Sequence, residues 1–346
     1  MNMDYVYRVE HITEPGETQK SSDLTVYNGG KGLNQSVALG RAGVFVYHAG
    51  NVGPHAESLL QELAEANVDT TLVRRLPDEP TGHTVILLDD AGENAITVCG
   101  GANQLITSEQ IANTFQYFGE GDVLLLQNET NALKDLMAAA VNHGMRVVFN
   151  PSPIDDDLLS LPLDTVDTFV VNEVEAAALS GGSPDEPEDM LNSLREMFPT
   201  ARVVMTTGVA GSWYDDGNER FHQEALPVDV VDTTGAGDTF LGYYLAGRLE
   251  GMAPRGAMAL AGRAAALAVG RPGAAPSIPT RAQVDATRRR RPSRRSAAPR
   301  SVRTNGASSA PKRKNGHGLC MKPYRAHAAI DEEVWKKIER ENSSEG

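Results

Sequence analysis

The sequence contains little cysteine and no long apolar run. Its 346 residues include two cysteines, Cys99 and Cys320, without a Cys-x-x-Cys spacing. It therefore lacks the pattern of a disulfide framework or a zinc site and suits a reducing compartment. No apolar run approaches the roughly 18 residues of a membrane span, and residues 1–8 lack the apolar core of a signal peptide. We therefore expect a cytoplasmic protein that makes no membrane contact.

Two common nucleotide-binding motifs are also absent. The chain contains neither the Gly-x-x-x-x-Gly-Lys-Ser/Thr loop of P-loop proteins nor the Gly-x-Gly-x-x-Gly fingerprint of dinucleotide-binding folds. The glycine-rich turns of this chain are therefore of another kind.

Charge is distributed unevenly along the chain. The formal net charge is −14, but residues 1–280 carry 15 Lys and Arg against 39 Asp and Glu, whereas residues 281–346 carry 17 against 7. The acidic body argues against general nucleic-acid binding, which depends on neutralising phosphates. Only the basic tail leaves nucleic-acid binding open.

Short apolar runs alternate with helical patterns along most of the chain. Residues 81–89 and 94–99 flank a turn and predict a hairpin. The alternation indicates an α/β fold, a doubly wound and mostly parallel sheet with helices on both faces. The runs that have the length of buried strands are 123–127, 146–149, 167–171, 202–206 and 226–231.

Polar residues cluster where these predicted strands end. A single residue of this kind is usually a helix cap. Their recurrence at successive strands favours a ligand site along one sheet edge, because ligands of open α/β sheets bind beyond the carboxyl ends of the strands. The cluster consists of Asn128 and Glu129, Asn150, Asn172 and Glu175, Thr206 and Gly208, and residues 232–238.

The most informative stretch is Asp232-Thr-Thr-Gly-Ala-Gly-Asp-Thr-Phe240, which connects a predicted strand to a predicted helix. Glycines permit a tight turn, and the N–H groups of the helix start can bind an anion such as phosphate. Asp238 would lie beside that anion as a general base for an attacking hydroxyl. The simpler interpretation is that Asp238 only caps the helix or balances its dipole.

A second glycine-rich turn, Asn28-Gly-Gly-Lys-Gly-Leu-Asn34, opens a helix of small residues. Glycines this dense allow the backbone to approach a ligand, with Lys31 and Asn34 binding its polar groups. The alternative is a tight turn with an incidental lysine.

These two stretches carry a family likeness, because the chain resembles the PfkB carbohydrate kinases over residues 2–286. Gly29-Gly-Lys-Gly-Leu-Asn34 and residues 232–240 match the two signatures of that family, in the same order and on the same elements. Asn150-Pro-Ser-Pro153, and Glu93-Asn-Ala-Ile96 with Gly101-Ala-Asn103, look like the ribose-specific members. The resemblance implies ATP-dependent phosphorylation of a sugar hydroxyl, namely the C5 hydroxyl of D-ribose.

The resemblance also assigns roles residue by residue. Asp238 matches the catalytic base, and the N–H groups of Gly235, Ala236 and Gly237 match the anion hole. The remaining positions match the sugar site (Asn2, Asp4, Gly30, Lys31, Asn34, Glu129), the nucleotide side with Mg²⁺ near its first two residues (Asn172, Glu175, Thr206, Gly208, Gly211), and a site for a monovalent cation, usually K⁺ (Asp232, Thr234, Arg271, Gly273, Ser277).

A small β-sheet lid is implied as well, built from parts of 5–28 and 81–99. In relatives such a lid closes over the sugar and often pairs in a homodimer. Family members begin with an apolar interior strand ahead of the Asn-x-Asp motif. We therefore expect Asn2 and Asp4 to lie on a free terminus here, and the sheet to have unpaired backbone where that strand would be.

The sequence divides into a kinase domain, 1–286, and a basic low-complexity tail, 287–346. The tail cannot bury a core and is predicted to be disordered. Its clusters at 288–295 and 312–314 resemble a split nuclear-localisation signal, which leaves a nuclear location open. Two alternatives to ribose phosphorylation remain: a related kinase for deoxyribose, fructose or a nucleoside, and a weakly active sugar-binding or regulatory protein with a targeting tail.

Overall fold

Residues 1–289 are described by a computed structural model of the chain, and they fall within one compact unit, Met1–Pro292. The predicted tail lies outside the described residues, apart from its first three positions. The strands of the described part are β1 (Asn2–Arg8), β2 (Asp23–Gly29), β3 (Val46–Tyr47), β4 (Gly50–Val52), β5 (Val68–Asp69), β6 (Val73–Arg75), β7 (His83–Leu88), β8 (Asn94–Cys99), β9 (Val123–Gln127), β10 (Arg146–Asn150), β11 (Val166–Asn172), β12 (Arg202–Thr206), β13 (Ser212–Asp215) and β14 (Arg220–Gln223).

The helices alternate with strands along the chain, as the sequence pattern predicts. They are α1 (Lys31–Ala42), α2 (Glu57–Glu65), α3 (Ser108–Phe115), α4 (Leu133–Asn142), α5 (Glu173–Ser180), α6 (Pro187–Met197), α7 (Ala236–Leu249), α8 (Pro254–Val269) and α9 (Arg281–Arg289). No helix within residues 1–289 is long and apolar enough to cross a membrane.

A six-stranded sheet forms the centre, in the order β14-β13-β12-β11-β10-β9. Its four strands β9 to β12 are parallel, as the alternating pattern predicts. The register aligns their carboxyl ends: Gln127 pairs with Asn150, and Asn172 pairs with Thr206. The polar residues that follow these strands therefore lie along one edge, which the sequence predicts.

Two apolar clusters cover the two faces of this sheet. Along β10, Val148 belongs to the cluster that includes α1, α2, α7 and α8, whereas Val147 and Phe149 belong to the cluster of α3 to α6. Phe149 is fully buried, and a side chain of this kind contributes roughly 1.5–3 kcal/mol by leaving water. The doubly wound arrangement thus follows from strands that are apolar on both faces.

The predicted strand at 226–231 is wrong. This segment crosses the surface without joining a sheet, and Leu226 and Val231 are 48% and 63% exposed. The reason is that the place beside β12 is taken by the antiparallel hairpin of β13 and β14, which the sequence analysis missed. Pro227 also lacks the N–H that a ladder would need.

A second, four-stranded sheet has the order β2-β1-β7-β8. Strand β1 is antiparallel to β2 and parallel to β7, and β7 forms the predicted hairpin with β8. The sheet therefore combines strands from the two segments in which the lid was expected.

The expectation of a free terminus at Asn2 is wrong. Met1 is 7% exposed, and its ammonium group donates to Asn103 Oδ1 at 3.3 Å. Strand β1 is fixed on both sides, so Asn2 and Asp4 are held in a sheet. Strand β9 is an edge strand of the six-stranded sheet and, within residues 1–289, pairs only with β10.

The end of the described chain also differs slightly from expectation. The closing helix α9 continues to Arg289, three residues into the predicted tail, which begins at residue 287. Val284 of this helix is fully buried in the cluster that includes α1 and α7, and this packing explains why the helix persists into the basic run.

Candidate active site

The Asp238 carboxylate lies in the first turn of α7 and faces α1. Gly235, the residue before the helix, has a φ of 71°, a left-handed conformation that glycine adopts without steric cost. Asn34 donates through Nδ2 to Asp238 Oδ2 at 2.9 Å, and Gln35 donates through Nε2 to Oδ1 at 2.8 Å. Because both carboxylate oxygens bind side chains of another helix, the interpretation of Asp238 as a mere helix cap is disfavoured.

A glycine brings these two helices together. A Cβ placed on Gly242 of α7 would lie 2.4 Å from the Cβ of Ala38 in α1, which is far inside van der Waals contact. The backbones of α1 and α7 can therefore approach closely, and their first turns meet. This is how two segments distant in sequence form one site.

The turn before α7 presents backbone donors beside Asp238. Within the described part of the chain, the N–H groups of Gly235 and Gly237 have no protein acceptor, whereas the Ala236 N–H donates to the Thr233 carbonyl oxygen at 3.1 Å. A Cβ on Gly237 would meet nothing within 4 Å, so the space in front of it is open. Two of the three predicted anion-hole donors are thus available, and the helix dipole favours an anion there.

The predicted sugar residues form a second group around the start of α1. Gly30 has a φ of 88°, and a Cβ there would lie 2.9 Å from the backbone nitrogen of Asn2. Only glycine allows this approach. The Lys31 backbone N–H donates to Glu129 Oε2 at 3.0 Å, which joins α1 to the loop after β9.

The β1 residues of this group are held by partners from neighbouring loops and strands. Asn2 is buried, and its Oδ1 accepts a hydrogen bond from Asn103 Nδ2 at 2.8 Å. Asp4 Oδ1 accepts a hydrogen bond from Thr84 Oγ1 at 2.5 Å across the sheet. Both polar side chains therefore have fixed orientations at the start of the four-stranded sheet.

Burial sets the electrostatics of this group. It raises the pKa of Glu129 above the usual value, against the attraction of the Met1 ammonium group and of Lys31. Burial also raises the pKa of Asp4, against the hydrogen bond from Thr84 and the same ammonium group. Both carboxylates are consequently costly to ionise without a polar ligand that donates hydrogen bonds to them.

The predicted nucleotide residues begin with a reciprocal cap. The Glu175 N–H donates to Asn172 Oδ1 at 2.8 Å, and the Asn172 N–H donates to Glu175 Oε2 at 3.0 Å, so both residues cap α5. The helix-cap interpretation is thus correct for this pair, whatever else it does. Thr206 lies opposite Asn172 in the parallel register.

The loop after β12 is tightly shaped by glycine. Thr207 N–H donates to the Gly211 carbonyl oxygen at 2.8 Å, which closes a turn that begins at Gly208. Gly211 has a φ of 108°, and a Cβ there would lie 2.1 Å from the carbonyl oxygen of Gln223. No other residue would fit this loop without displacing β14.

Asp232 organises the residues predicted to bind a monovalent cation. Its Oδ1 accepts hydrogen bonds from Thr234 N and Oγ1, at 2.9 and 2.6 Å, and its Oδ2 accepts one from Gly273 N at 2.8 Å. Burial alone would raise the pKa of Asp232, but these hydrogen bonds outweigh it and lower the pKa below the usual value. The carboxylate is thus ionised near neutral pH.

The other two residues of this group lie in the following loop. Ser277 is buried, and its Oγ donates to the Ala274 carbonyl oxygen at 2.8 Å. Arg271 follows α8, and its backbone N–H donates to the Ala268 carbonyl oxygen. Ala274 also lies against Gly235, where its Cα is 3.1 Å from the position of a Cβ, so this loop contacts the turn before α7.

Sequence reasoning missed Gln35, although it bonds directly to Asp238. Its role became visible only in the structure, where every residue from Leu33 to Gly40 is buried and a buried glutamine needs polar partners. Gln127 was also missed, and its Nε2 donates to Gln35 Oε1 at 2.7 Å. These two glutamines extend the polar site beneath the predicted base.

Within residues 1–289, no group of three or more His, Cys, Asp or Glu side chains is placed to hold a metal ion. A metal bound here would consequently need ligands from backbone, hydroxyl groups, water or substrate, which is how Mg²⁺ is usually held beside phosphates.

Comparisons with known proteins agree with this geometry. Residues 1–281 match the sequence pattern of the pfkB family carbohydrate kinases. A ribokinase of Haemophilus influenzae is 31% identical over 290 residues, which cover 81% of this chain and 94% of the relative. One from Arabidopsis thaliana is 30% identical over 296 residues, which cover 82% and 78%.

Two solved structures have the same architecture. Ribokinase from Cryptococcus neoformans var. grubii in complex with ADP superposes with a TM-score of 0.74 at 31% identity, covering 83% of this chain and 96% of the other. Arabidopsis thaliana ribokinase complexed with ribose and ATP has a TM-score of 0.74 at 28% identity, covering 82% and 95%.

Proposed function

The chain belongs to the pfkB family of carbohydrate kinases, and we propose that it transfers the γ-phosphoryl group of ATP to the C5 hydroxyl of D-ribose. The product would be D-ribose 5-phosphate. One observation carries the proposal: the two glycine-rich turns meet where Asn34 donates to Asp238 at 2.9 Å. The similarity to ribokinases, among them one complexed with ribose and ATP, supports the choice of substrates.

Asp238 is the residue suited to take the proton from the attacking hydroxyl. Its carboxylate stands beside the open N–H groups of Gly235 and Gly237, which would stabilise the negative charge of the transferred phosphoryl group. The Ala236 N–H already bonds to Thr233, so its participation would require this turn to adjust. Catalysis of this kind depends on positioning and charge stabilisation rather than covalent chemistry.

The sugar would bind among the residues around the start of α1. Asn34 Oδ1 is buried and has no hydrogen-bond partner within residues 1–289, so a sugar hydroxyl would satisfy it. Hydroxyl groups would likewise donate to the carboxylates of Asp4 and Glu129, whose ionisation burial makes costly. Asn2, Gly30 and Lys31 complete this proposed site.

ATP would bind on the side of Asn172, Thr206, Gly208 and Gly211, and Mg²⁺ would bind with its phosphates near Asn172 and Glu175. The Glu175 carboxylate already accepts hydrogen bonds from Asn150 Nδ2 and from the Asn172 N–H and side chain. About one of its roughly four lone-pair positions thus stays free, and Mg²⁺ would be held there through that position or through water. Mg²⁺ would supply charge neutralisation on the phosphates.

A monovalent cation, K⁺, fits the oxygen atoms around Asp232. The ionised carboxylate, the Thr234 hydroxyl and the carbonyl and hydroxyl oxygens of the 271–277 loop are hard ligands. The proposed ligands in that loop are Arg271, Gly273 and Ser277. A cation there would lie next to the turn that presents Gly235, so its charge would strengthen anion binding by that turn.

The four-stranded sheet would act as the lid over the sugar and as the contact in a homodimer. Its residues Ile96 and Val98 are 56% and 61% exposed, and exposed apolar side chains on adjacent sheet positions are typical of interaction surfaces. Lid closure would exclude water and suppress ATP hydrolysis.

The alternative substrates are not favoured by the relatives, whose names specify ribose. A binding or regulatory role is likewise not favoured, because the proposed catalytic groups are present and bonded to one another. We also propose a cytoplasmic location. The nuclear-localisation hypothesis rests on 288–295 and 312–314, whose side chains lie outside the described residues.

Purified protein with ATP, Mg²⁺, K⁺ and a panel of ribose, deoxyribose, fructose and adenosine tests the proposal. We expect ADP release with ribose at a kcat/KM at least tenfold above the other acceptors, and a 5-phosphate product by ³¹P NMR. Preferred turnover of another acceptor, or phosphorylation at another hydroxyl, would contradict it.

A further inference from the structure

We propose that Gln35 is a positioning residue, which holds the Asp238 carboxylate in place and connects it through Asn150 to Glu175. This inference rests on the proposed function, because it assumes that Asp238 is the base. The observation behind it is a continuous chain of hydrogen bonds that starts at the base in α7, passes through α1 and the end of β10, and reaches α5.

The orientation of the Gln35 amide is fixed by its partners. Gln35 is 1% exposed. Its Oε1 accepts a hydrogen bond from Gln127 Nε2 at 2.7 Å, while its Nε2 donates to Asp238 Oδ1 at 2.8 Å and to Asn150 Oδ1 at 3.2 Å. A flipped amide would direct its oxygen at the carboxylate and its nitrogen at another donor, so only one orientation is stable.

Asn150 continues this chain towards the nucleotide side. Its Nδ2 donates to Glu175 Oε2 at 3.0 Å and to the Val170 carbonyl oxygen at 3.1 Å. Asn150 and Glu175 are both buried, so water does not compete with these bonds. The carboxylate at each end of this chain accepts hydrogen bonds, and the N–H groups of the two amides between them are the donors.

The position of Asp238 matters because a general base acts only within hydrogen-bond distance of the proton it takes. Asn34 alone would hold only Oδ2 and would leave the carboxylate freer to rotate about the Cβ–Cγ bond of Asp238. The second donor, Gln35, fixes the carboxylate plane while each oxygen keeps a further lone pair. A displacement of about 1 Å in such a site can lower the rate about a hundredfold.

Gln35→Met tests this role, since methionine has a similar length and volume but no amide. We expect kcat with ribose to fall ten- to a hundredfold, with the KM for ribose within threefold of wild type. Gln110→Met is the matched control, because Gln110 is also a buried helical glutamine and, within residues 1–289, its Nε2 bonds only to Gly50 O. Its kcat should stay within twofold of wild type.

A purely structural role of Gln35 would give a different result. Both variants would then lose thermal stability to a similar degree, and the kcat of Gln35→Met, measured well below its melting temperature, would stay within threefold of wild type. That outcome would overturn the inference. Failure of the proposed function is seen separately, because wild-type protein would then fail to phosphorylate ribose.

Crystal structures of wild type and Gln35→Met test the inference even if the wild-type protein does not phosphorylate ribose. We expect the Asp238 carboxylate to rotate or to occupy several orientations in the variant, while Asn34 and the backbone of α7 stay in place. An unchanged, single orientation of Asp238 in Gln35→Met would overturn the inference whatever the substrate.

Discussion

Asn34 and Asp238 are separated by 204 residues in sequence, and Nδ2 of the first lies 2.9 Å from Oδ2 of the second. Each belongs to one of the two glycine-rich turns. The contact makes α1 and α7 parts of one site, and a change in either helix should therefore be measurable in catalysis.

Asp238→Asn should abolish most turnover and leave ribose binding intact. The amide cannot take a proton, and a general base contributes about 10²–10⁴ in rate. Steady-state kinetics gives kcat, and calorimetry gives the affinity for ribose. Asp164→Asn, an exposed aspartate far from this site in sequence, should leave kcat unchanged. Turnover by Asp238→Asn close to that of wild type would show that the base is another group.

The affinity for ribose should fall as the pH is lowered. The fall should begin at a higher pH than the usual titration of Asp and Glu side chains would give. Burial raises the pKa of both Glu129 and Asp4 above 4.5 and 3.8, respectively. The protonated groups accept hydrogen bonds from sugar hydroxyls less well, so affinity is retained above the raised pKa values and lost below them. Calorimetric titration with ribose between pH 8 and pH 5 measures this. Glu129→Gln should weaken binding at pH 8 and reduce the pH dependence; an identical pH dependence would contradict the assignment.

Replacing K⁺ with a cation too large for the site, such as tetramethylammonium, should lower kcat or raise the KM for ATP. Asp232→Asn should lose the dependence on K⁺, because it removes the ionised ligand whose pKa is held low by Thr234 and Gly273. Titration of activity with KCl at constant ionic strength checks both. A variant that responds to K⁺ like wild type would place the cation elsewhere.

Gly242→Ala should destabilise the protein and lower its activity together. The new Cβ would lie 2.4 Å from the Ala38 Cβ, and overpacking of this kind costs about 1–3 kcal/mol in free energy of unfolding. Gly256→Ala, in helix α8, is the control, because the nearest described atom to its new Cβ would be Met252 Cβ, at 3.7 Å. It should stabilise by about 0.4–1 kcal/mol. Urea unfolding measures the free energy of unfolding, and steady-state kinetics measures kcat. Equal effects of Gly242→Ala and Gly256→Ala on both quantities would refute close packing of α1 on α7.

Ile96→Asp should dissociate the proposed dimer without unfolding the monomer. The side chain is 56% exposed in the four-stranded sheet, and a carboxylate there would be buried unpaired at the contact. Light scattering after size exclusion measures the mass. Val141→Asp, at a 50% exposed position of α4, should leave the mass unchanged. A dimer that persists in Ile96→Asp would show that the dimer contact lies on another surface.

Much of the parallel sheet could be predicted because its strands are apolar on both faces and alternate with helices of clear periodicity. The hairpin of β13 and β14 could not, since Trp213, Tyr214 and Phe221 lie in short runs among polar residues. The same omission led to the wrong strand at 226–231, because its apolar pattern had no competitor for the place beside β12. The local sequence pattern does not show which of two segments pairs with the edge of a sheet.

The members of the candidate site could be proposed from the sequence where a motif carried them, but the contacts between them could not. Gln35 follows Asn34 directly and looks like any helix residue until α7 is packed against α1. Asn103 lies in a short 3-10 helix and bonds to Asn2 and to the Met1 ammonium group, and the spacing of these residues in the sequence does not predict that contact. Such pairs depend on tertiary packing, which no short window of sequence contains.

The chain of amides between Asp238 and Glu175 has one further consequence. Because the amides of Gln35 and Asn150 are buried and bonded at both ends, their NH₂ protons should exchange slowly with solvent. In a ¹⁵N spectrum they should appear as sharp pairs, shifted downfield by the carboxylates that they face. After ¹⁵N labelling, these two amides would therefore act as reporters, one beside each proposed substrate site, which would follow ribose and nucleotide binding without any attached probe.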